Sequence, residues 1–212
     1  MLGRSVPPDD RSVLVGRVSS SALVLGSTQP EGHVDHQAAR SRGVRILRRR
    51  SGGGAVLLRP GEVVWTEVFI PADDPLGCRD VGRAFWWLGE VWQQALMAIG
   101  AQEVEVHRGR IVSTAWSPWA CFAGMGPGEV LVAGRKVVGM AQRRWRAGSL
   151  FQCAALIGHD PAFTAELFDL DDSSRLELCE QLGSFAAGVG DLVDHDQLVR
   201  SFLANLNLRW QA

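Results

Sequence analysis

Apolar positions along this chain change period, so that a strand-rich first two thirds is followed by a helical tail. Short apolar runs bounded by Gly, Pro, Ser or Asp predict β-strands. Such runs cover residues 13–18, 22–26, 44–47, 55–58, 63–70, 110–114, 129–132, 136–140 and 149–157. The segments between most of these runs are short, which favours antiparallel pairing over a doubly wound parallel arrangement.

Helical spacing dominates three other regions. Residues 34–42 predict a short helix that ends at Gly43, and residues 80–100 carry the most regular amphipathic pattern of the chain. After Pro161 the pattern stays helical, with Ser174 to Glu177 predicted as a capping box. The predicted fold class is therefore α/β in the α+β sense. It is a mixed, largely antiparallel sheet flanked by helices, with an α-helical C-terminal tail.

Length and composition suit one folded unit. The chain has 212 residues, of which 46% are hydrophobic and 21% charged, enough apolar material for one sizeable core. We predict a flexible N-terminal arm over residues 1–11 and a single domain over residues 12–212. No internal repeat or low-complexity linker interrupts the second range.

Net charge and cysteine usage limit the expected binding partners and the expected cellular compartment of the protein. A net charge of −1 gives no global attraction to nucleic acid or to an anionic membrane. No apolar stretch has the length of a membrane span or of a signal peptide. The four cysteines are far apart and form no CxxC pair, which is typical of reduced cytosolic thiols. These features predict a cytoplasmic protein that binds neither nucleic acid nor membrane.

Lysine usage singles out one residue. The 22 basic residues comprise 21 arginines and one lysine, Lys136. A GC-rich genome would explain arginine on the surface, where either cation serves. Arginine cannot replace lysine where chemistry needs a compact ammonium on a slim stem. Lys136 is therefore a candidate for a chemical role, with survival by chance as the alternative.

Two further segments could carry chemistry. A glycine cluster at residues 51–54 follows three arginines, and its backbone N–H groups could approach an anion or a carbonyl, although such clusters most often form turns. Cys121 lies in a loop containing Pro and Gly, fifteen residues before Lys136. Most isolated cysteines are inert small hydrophobes, whereas one beside a cation can be a nucleophile. The histidines form no metal-binding motif, so no metal site is predicted.

The order of these segments resembles a known family. Residues 48–56 read Arg-Arg-Arg-Ser-Gly-Gly-Gly-Ala-Val, and residues 134–142 read Gly-Arg-Lys-Val-Val-Gly-Met-Ala-Gln. With a Cys-Phe pair between them, this succession resembles the lipoate-protein ligase and octanoyltransferase family, the catalytic domain of the biotin/lipoate ligase superfamily. The similarity covers residues 12 to 160, about 70% of the chain.

The resemblance implies a reaction and a set of roles. Family members join an octanoyl or lipoyl group to a lysine of a lipoyl carrier domain. It implies that Lys136 contacts the acyl carbonyl and that Cys121 carries the acyl group as a thioester. It also implies a substrate-binding set around the two motifs. That set comprises Arg48, Arg49, Ser51, Gly52, Gly53, Gly54, Ala55, Gly134 and Gly139.

Cofactors and partners follow from the same resemblance. The substrate would be lipoate or an octanoyl thioester, with ATP and Mg²⁺ required if the chain is a ligase. The acceptor would be a lipoyl carrier domain or a glycine-cleavage H-type protein, and the donor an acyl carrier protein. A monomer is expected.

Three functions stay open at this point. The first is transfer of octanoyl or lipoyl through a Cys121 thioester, and the second is ATP-dependent ligation through lipoyl-adenylate. The third is a non-catalytic acyl- or partner-binding homologue, because Gln152, Cys153 and Ala154 stand where the family has a His-Gly pair. For either enzyme, Lys136→Arg is expected to leave folding intact and to remove acyl transfer.

Overall fold

Nine strands form two sheets in the computed structural model, which describes residues 10–190 and 192–211. The strands are β1 (Ser12–Gly16), β2 (Ala22–Leu25), β3 (Arg45–Arg48), β4 (Val56–Leu58), β5 (Val63–Pro71), β6 (Val104–Val106), β7 (Val130–Val132), β8 (Arg135–Trp145) and β9 (Gly148–Leu156). The helices are α1 (His36–Ser41), α2 (Trp86–Ala98), α3 (Pro161–Glu166), α4 (Asp172–Phe185) and α5 (His195–Gln211). Short 3-10 helices span Glu31–His33, Arg83–Phe85 and Cys121–Ala123.

The larger sheet has six strands in the order β1-β5-β9-β8-β7-β6, and every neighbouring pair is antiparallel. The smaller sheet has the order β3-β2-β4, in which β2 and β3 run parallel and β2 and β4 antiparallel. The prediction of a mixed, largely antiparallel fold flanked by helices is confirmed. The strands nevertheless divide between two sheets, so the expectation of a single sheet was wrong.

The larger sheet lies between two apolar cores because its central strands are buried on both faces. Eight of the nine residues of β5 are buried, and so are eight of the nine residues of β9. On one face, α2 and α5 cover the sheet, and Trp92 stacks on Phe202 with ring centroids 4.1 Å apart. On the other face, the smaller sheet and α4 pack around Trp65 and Phe168. Side chains alternate between the faces along β5.

Several predicted boundaries shift. The long helix begins at Trp86, because residues 80–85 form a turn and a 3-10 helix before it. Residues 110–114 form an isolated bridge at Val112 instead of a strand. The predicted capping box at Ser174 was wrong, because the carboxylate of Asp171 caps α4 by accepting the backbone N–H of Ser174. No helix within the described ranges is long and apolar enough to cross a membrane.

Most of the predicted N-terminal arm, residues 1–9, lies outside the described residues. Its last residue, Arg11, is held at two points. The guanidinium donates to both carboxylate oxygens of Asp74 at 2.6 and 3.0 Å and to the backbone carbonyl of Trp210 at 2.8 Å. Arg11 therefore links the start of β1 to the end of α5.

Candidate active site

Lys136 lies at the start of β8, directly after a two-residue turn made by Ala133 and Gly134, both of which have positive φ. The residue is 1% exposed. Its ammonium donates to the backbone carbonyl oxygens of Cys121 at 2.7 Å and Gly124 at 3.1 Å, and it forms an ion pair with Glu129 at 2.7 Å. Three protein acceptors therefore match the three N–H donors of the ammonium.

Glu129 fixes the charge of Lys136. One carboxylate oxygen accepts from both Lys136 and the backbone N–H of Met140, and the other accepts the backbone N–H of Gly126 at 2.6 Å. Burial would lower the pKa of Lys136, but a Cys121 thiolate and the Glu129 carboxylate outweigh it and hold that pKa above its usual value. Lys136 is therefore a permanent cation that cannot serve as a general base at neutral pH.

Cys121 lies beside this cation. The short 3-10 helix Cys121–Ala123 places its Sγ 3.8 Å from Nζ of Lys136. The Phe122 ring covers the same ammonium, with 4.9 Å between Nζ and the ring centroid. Gly139 on β8 leaves room for this packing, because a Cβ there would lie 3.5 Å from Sγ of Cys121 and 3.1 Å from Phe122. The thiol thus lies next to a buried ammonium that is ion-paired with Glu129.

Arg49 holds the glycine segment, residues 51–54, in place. Its guanidinium donates to the carbonyl oxygens of Val24, Gly52 and Gly54 at 2.7–3.0 Å and to the Ser51 hydroxyl at 3.1 Å. Gly53 has a φ of +95°, which favours glycine, and a Cβ there would approach Nη2 of Arg49 to 3.1 Å. Burial lowers the pKa of Arg49, although a Cys121 thiolate opposes the shift.

Gln152 occupies the centre of a buried polar chain. Its amide oxygen accepts from the Ser51 hydroxyl at 2.7 Å, and its amide nitrogen donates to Glu67 at 2.8 Å. Glu67 also accepts a longer bond, 3.4 Å, from the indole nitrogen of Trp65. The chain of bonds therefore runs from Arg49 to Trp65. It satisfies a glutamine and a glutamate that are 3% and 4% exposed, as buried polar groups require.

A small cavity of about 250 Å³ opens beside Cys121, between the glycine segment and the larger sheet. Its walls are mostly apolar and include Val56, Trp65, Met140 and Ala154, with polar groups contributed by residues of the bonded chain just described. Another cavity, of about 400 Å³, lies near α3 and α4, but neither Cys121 nor Lys136 lines it. The cavity beside Cys121 is therefore the candidate substrate site.

The structure brings some sequence-predicted residues together and separates others. Arg49, Cys121 and Gly139 line the cavity, while Lys136, Ser51 and the glycines at 52–54 lie immediately behind it through the contacts described above. Ala55 is buried and pairs with the backbone of Ala120. Two members of the predicted set lie elsewhere.

Arg48 and Gly134 are those two members. Arg48 donates to the carbonyl oxygens of Gly26 and Gln29 at 2.8 and 2.7 Å, and so supports the segment after β2 without lining the cavity. Gly134 belongs to the β7–β8 turn, where a Cβ would meet no atom within 4 Å. The two motifs therefore contain both residues that support the backbone and residues that line the cavity.

Three residues of the site were not singled out in the sequence: Trp65, Glu67 and Glu129. Glu67 offered a usable signal, since it is the one charged residue inside the apolar run at 63–70. A carboxylate in a strand buried on both faces needs a bonded partner. Glu129 precedes a short apolar run and reads equally well as a solvated strand end. The described residues contain no cluster of three or more His, Cys, Asp or Glu side chains that could hold a metal ion.

The other cysteines are predicted to differ sharply in reactivity. Burial raises the pKa of the Cys153 thiol to about 12, whereas Cys78 is exposed. Iodoacetamide at pH 8 should therefore modify Cys78 in the native protein and Cys153 only after unfolding in urea, as measured by peptide mass spectrometry. The Cys78→Ser variant is the control, because it lacks the exposed thiol. Modification of native Cys153 at a rate similar to that of Cys78 would contradict the structure.

Comparison with curated proteins gives octanoyltransferase relatives. The chain is 28% identical over 196 residues to octanoyltransferase LipM of Clostridioides difficile strain 630, covering 88% of this chain and 70% of that protein. It is 32% identical over 177 residues to octanoyltransferase LipM of Kyrpidia tusciae, covering 80% and 63%. A third LipM, from Moorella thermoacetica, matches at 32% over 66% of this chain and 50% of its own length. The chain thus spans half to about two thirds of these relatives.

Solved structures give the same fold. A bipartite lipoate protein ligase from Thermoplasma acidophilum, described with its E2 lipoyl domain, matches 95% of this chain and 71% of its own with a TM-score of 0.75 and 19% identity. A lipoate-protein ligase A bound with ATP matches 95% and 73% with a TM-score of 0.73 and 19% identity. The family model for the lipoyl protein ligase A/B catalytic domain matches residues 2–206. The chain therefore belongs to the lipoyl protein ligase A/B catalytic domain family.

Proposed function

We propose that this chain transfers an octanoyl group to a lysine of a lipoyl carrier domain, with Cys121 as the nucleophile. One observation carries the proposal: Sγ of Cys121 lies 3.8 Å from a buried ammonium, in the wall of a mostly apolar cavity. A thiol, a fixed cation and an apolar pocket are the groups that acyl transfer through a thioester needs. The octanoyltransferase names of the curated relatives support the same reaction.

The transfer has two balanced steps. In the first, the Cys121 thiolate attacks the thioester carbonyl of the donor, the new C–S bond forms, and the donor's C–S bond breaks. The departing thiolate takes up the proton that Cys121 lost. In the second, the ε-amine of the acceptor lysine attacks the Cys121 thioester, an amide bond forms, and the amine proton passes to the released Cys121 thiolate. Neither step requires an oxidant, a reductant or ATP.

Lys136 would stabilise the negative charge of both steps. Its ammonium faces the Cys121 thiolate, and negative charge develops on the acyl oxygen in each tetrahedral intermediate. All three donors of the ammonium are already bonded within the protein. Direct contact with the acyl oxygen therefore requires exchange of one bond, and we expect that the Gly124 carbonyl, at 3.1 Å, is the partner released. The tighter bonds, to Cys121 and Glu129, would stay.

The loop arginines favour transfer over ATP-dependent ligation. A ligase needs donors that can reach the phosphates of ATP. Arg49 instead uses its donors on Ser51 and on three backbone carbonyls, and Arg48 donates to the segment after β2. Both side chains hold the glycine segment in place, which is what an acyl pocket requires of them. Ligation with ATP and Mg²⁺ is the alternative that the experiment below separates.

We further propose that acyl carrier protein supplies the octanoyl group and that a lipoyl domain or a glycine-cleavage H-type protein receives it, in the cytoplasm. The Thermoplasma acidophilum ligase described with its E2 lipoyl domain supports an acceptor of that class. The protein is expected to act as a monomer.

Intact-mass measurement tests the reaction. The protein is mixed with octanoyl-acyl carrier protein without ATP, and in parallel with lipoate, ATP and Mg²⁺. We expect an octanoyl adduct on Cys121 in the first mixture, removed by hydroxylamine. Product on a lipoyl domain only in the second mixture, without an adduct, would establish a ligase. The absence of adduct and product in both mixtures would leave the non-catalytic reading.

A further inference from the structure

Trp65 separates the cavity beside Cys121 from a second cavity that the mechanism does not use. The second cavity has about 520 Å³ of empty space and is partly open to solvent; it is lined by residues of β2, β3 and β4 and the segment after β1, including Ala22, Leu47 and Leu58. Trp65 lines both cavities and is 5% exposed. Its indole is therefore a shared wall.

The neighbours of Trp65 explain why cavities lie on both sides. In the larger sheet, Trp65 pairs with Gly16 on β1 and with Ala154 on β9. Directly paired residues share a face of the sheet, so the indole is flanked by two of the smallest residues. A Cβ on Gly16 would lie 3.2 Å from Cδ1 of Trp65, which shows how closely the indole lies against β1.

Hydrogen bonds connect Trp65 to the residues of the candidate site. The indole nitrogen donates to Glu67 at 3.4 Å, and Gln152 donates to the same carboxylate oxygen at 2.8 Å. Gln152 in turn accepts from Ser51, which is bonded to Arg49. Buried hydrogen bonds thus connect the indole to the glycine segment. Gln152, which stands where the family has a histidine, is part of that connection.

We infer that Trp65 is a specificity-determining residue that limits the length of the acyl chain. The inference rests on the proposed function, in which the acyl group is attached to Cys121 and extends into the inner cavity. That cavity is the smaller of the two, with about 250 Å³ of empty space against about 520 Å³, and Trp65 lines both. The intact indole leaves room for a medium-length chain such as octanoyl and blocks longer ones. Removal of the indole joins the two cavities.

Competition between two donors tests the inference. Equal amounts of octanoyl- and dodecanoyl-acyl carrier protein are mixed with each variant, and the two Cys121 adducts are quantified by intact mass at early times. We expect the wild type to favour octanoyl. In Trp65→Ala the ratio should shift at least tenfold towards dodecanoyl, since even one misfitted methylene changes discrimination by about 10-fold or more. Trp65→Leu is the second variant, in case the alanine variant does not fold.

Leu47→Ala is the matched control, because Leu47 lines the outer cavity and not the inner one. This variant enlarges the outer cavity alone and should keep the wild-type ratio. The inference is overturned if a folded, acylated Trp65 variant keeps the wild-type ratio, or if the wild type takes dodecanoyl as readily as octanoyl. No adduct from either donor on the wild type would instead overturn the proposed function, and this inference with it.

Discussion

Replacing Cys121 by alanine is expected to lower octanoyl transfer by a factor on the order of 10³ or more, as loss of a covalent nucleophile does in other enzymes. The thiol is the one nucleophilic side chain among the described residues that line the cavity, and it lies 3.8 Å from Nζ of Lys136. The measurement is the rate of lipoyl-domain octanoylation from octanoyl-acyl carrier protein, read by mass spectrometry. Folding should be preserved, because Cys121 is only partly buried.

Cys179→Ala provides the matched control for that experiment. Cys179 is partly buried like Cys121, but it lies on α4 and does not line the candidate site. Its substitution should leave the transfer rate within about twofold, in keeping with the small effects of most substitutions away from special sites. Retention of full transfer by Cys121→Ala would exclude the thioester route and redirect attention to direct attack by the acceptor lysine.

Substituting Lys136 by methionine is expected to lower the free energy of unfolding by about 3–5 kcal/mol, the usual cost of leaving one partner of a buried ion pair unpaired. Glu129 would keep its two backbone donors and lose its countercharge, and the carbonyl groups of Cys121 and Gly124 would lose a donor. Urea unfolding followed by circular dichroism measures the change. Acyl transfer should be lost in the same variant.

Arg135→Met is the control, since Arg135 is the exposed neighbour of Lys136 on the same strand, and its effect should be within about 0.5 kcal/mol. The same burial changes the expectation for Lys136→Arg. A bulkier, planar guanidinium must fit where Phe122 and Gly139 already pack against the lysine stem, so we now expect this variant to lose stability as well as transfer. Unfolding of Lys136→Met at the wild-type urea midpoint would show that the ion pair does not support the fold.

Sequence reasoning singled out Cys121 and Lys136, which lie 3.8 Å apart in the structure, because their signals are local. Lys136 is the one lysine in the chain, and it follows a tight turn whose positive-φ residues the Ala133-Gly134 pair supplies. Cys121 lies in a Pro- and Gly-containing loop at a fixed distance before it. The strand runs and the largely antiparallel pairing were also predictable, because apolar runs separated by short connections leave few alternatives.

The rest depends on register, which local patterns do not encode. Glu129 reaches Lys136 within the β7–β8 hairpin, whose pairing shifts by one residue between Val130 and Leu131. Without that irregularity the carboxylate would oppose a different position. Trp65 is similar: its place between two cavities follows from the small residues paired with it, Gly16 and Ala154, which lie in distant parts of the sequence.

The backbone of Lys136 also pairs with the chain beyond α4, since its carbonyl accepts the N–H of Ala187 at 3.1 Å and a parallel bridge links it to Ala186. That pairing spans fifty residues of sequence and sets an order of events during synthesis. The strand that carries the lysine emerges from the ribosome well before the segment that completes its hydrogen bonding. The hydrogen bonding of that strand is therefore completed only after residue 187 has been synthesised, although the contacts of the ammonium with Cys121, Gly124 and Glu129 lie within residues 121–136.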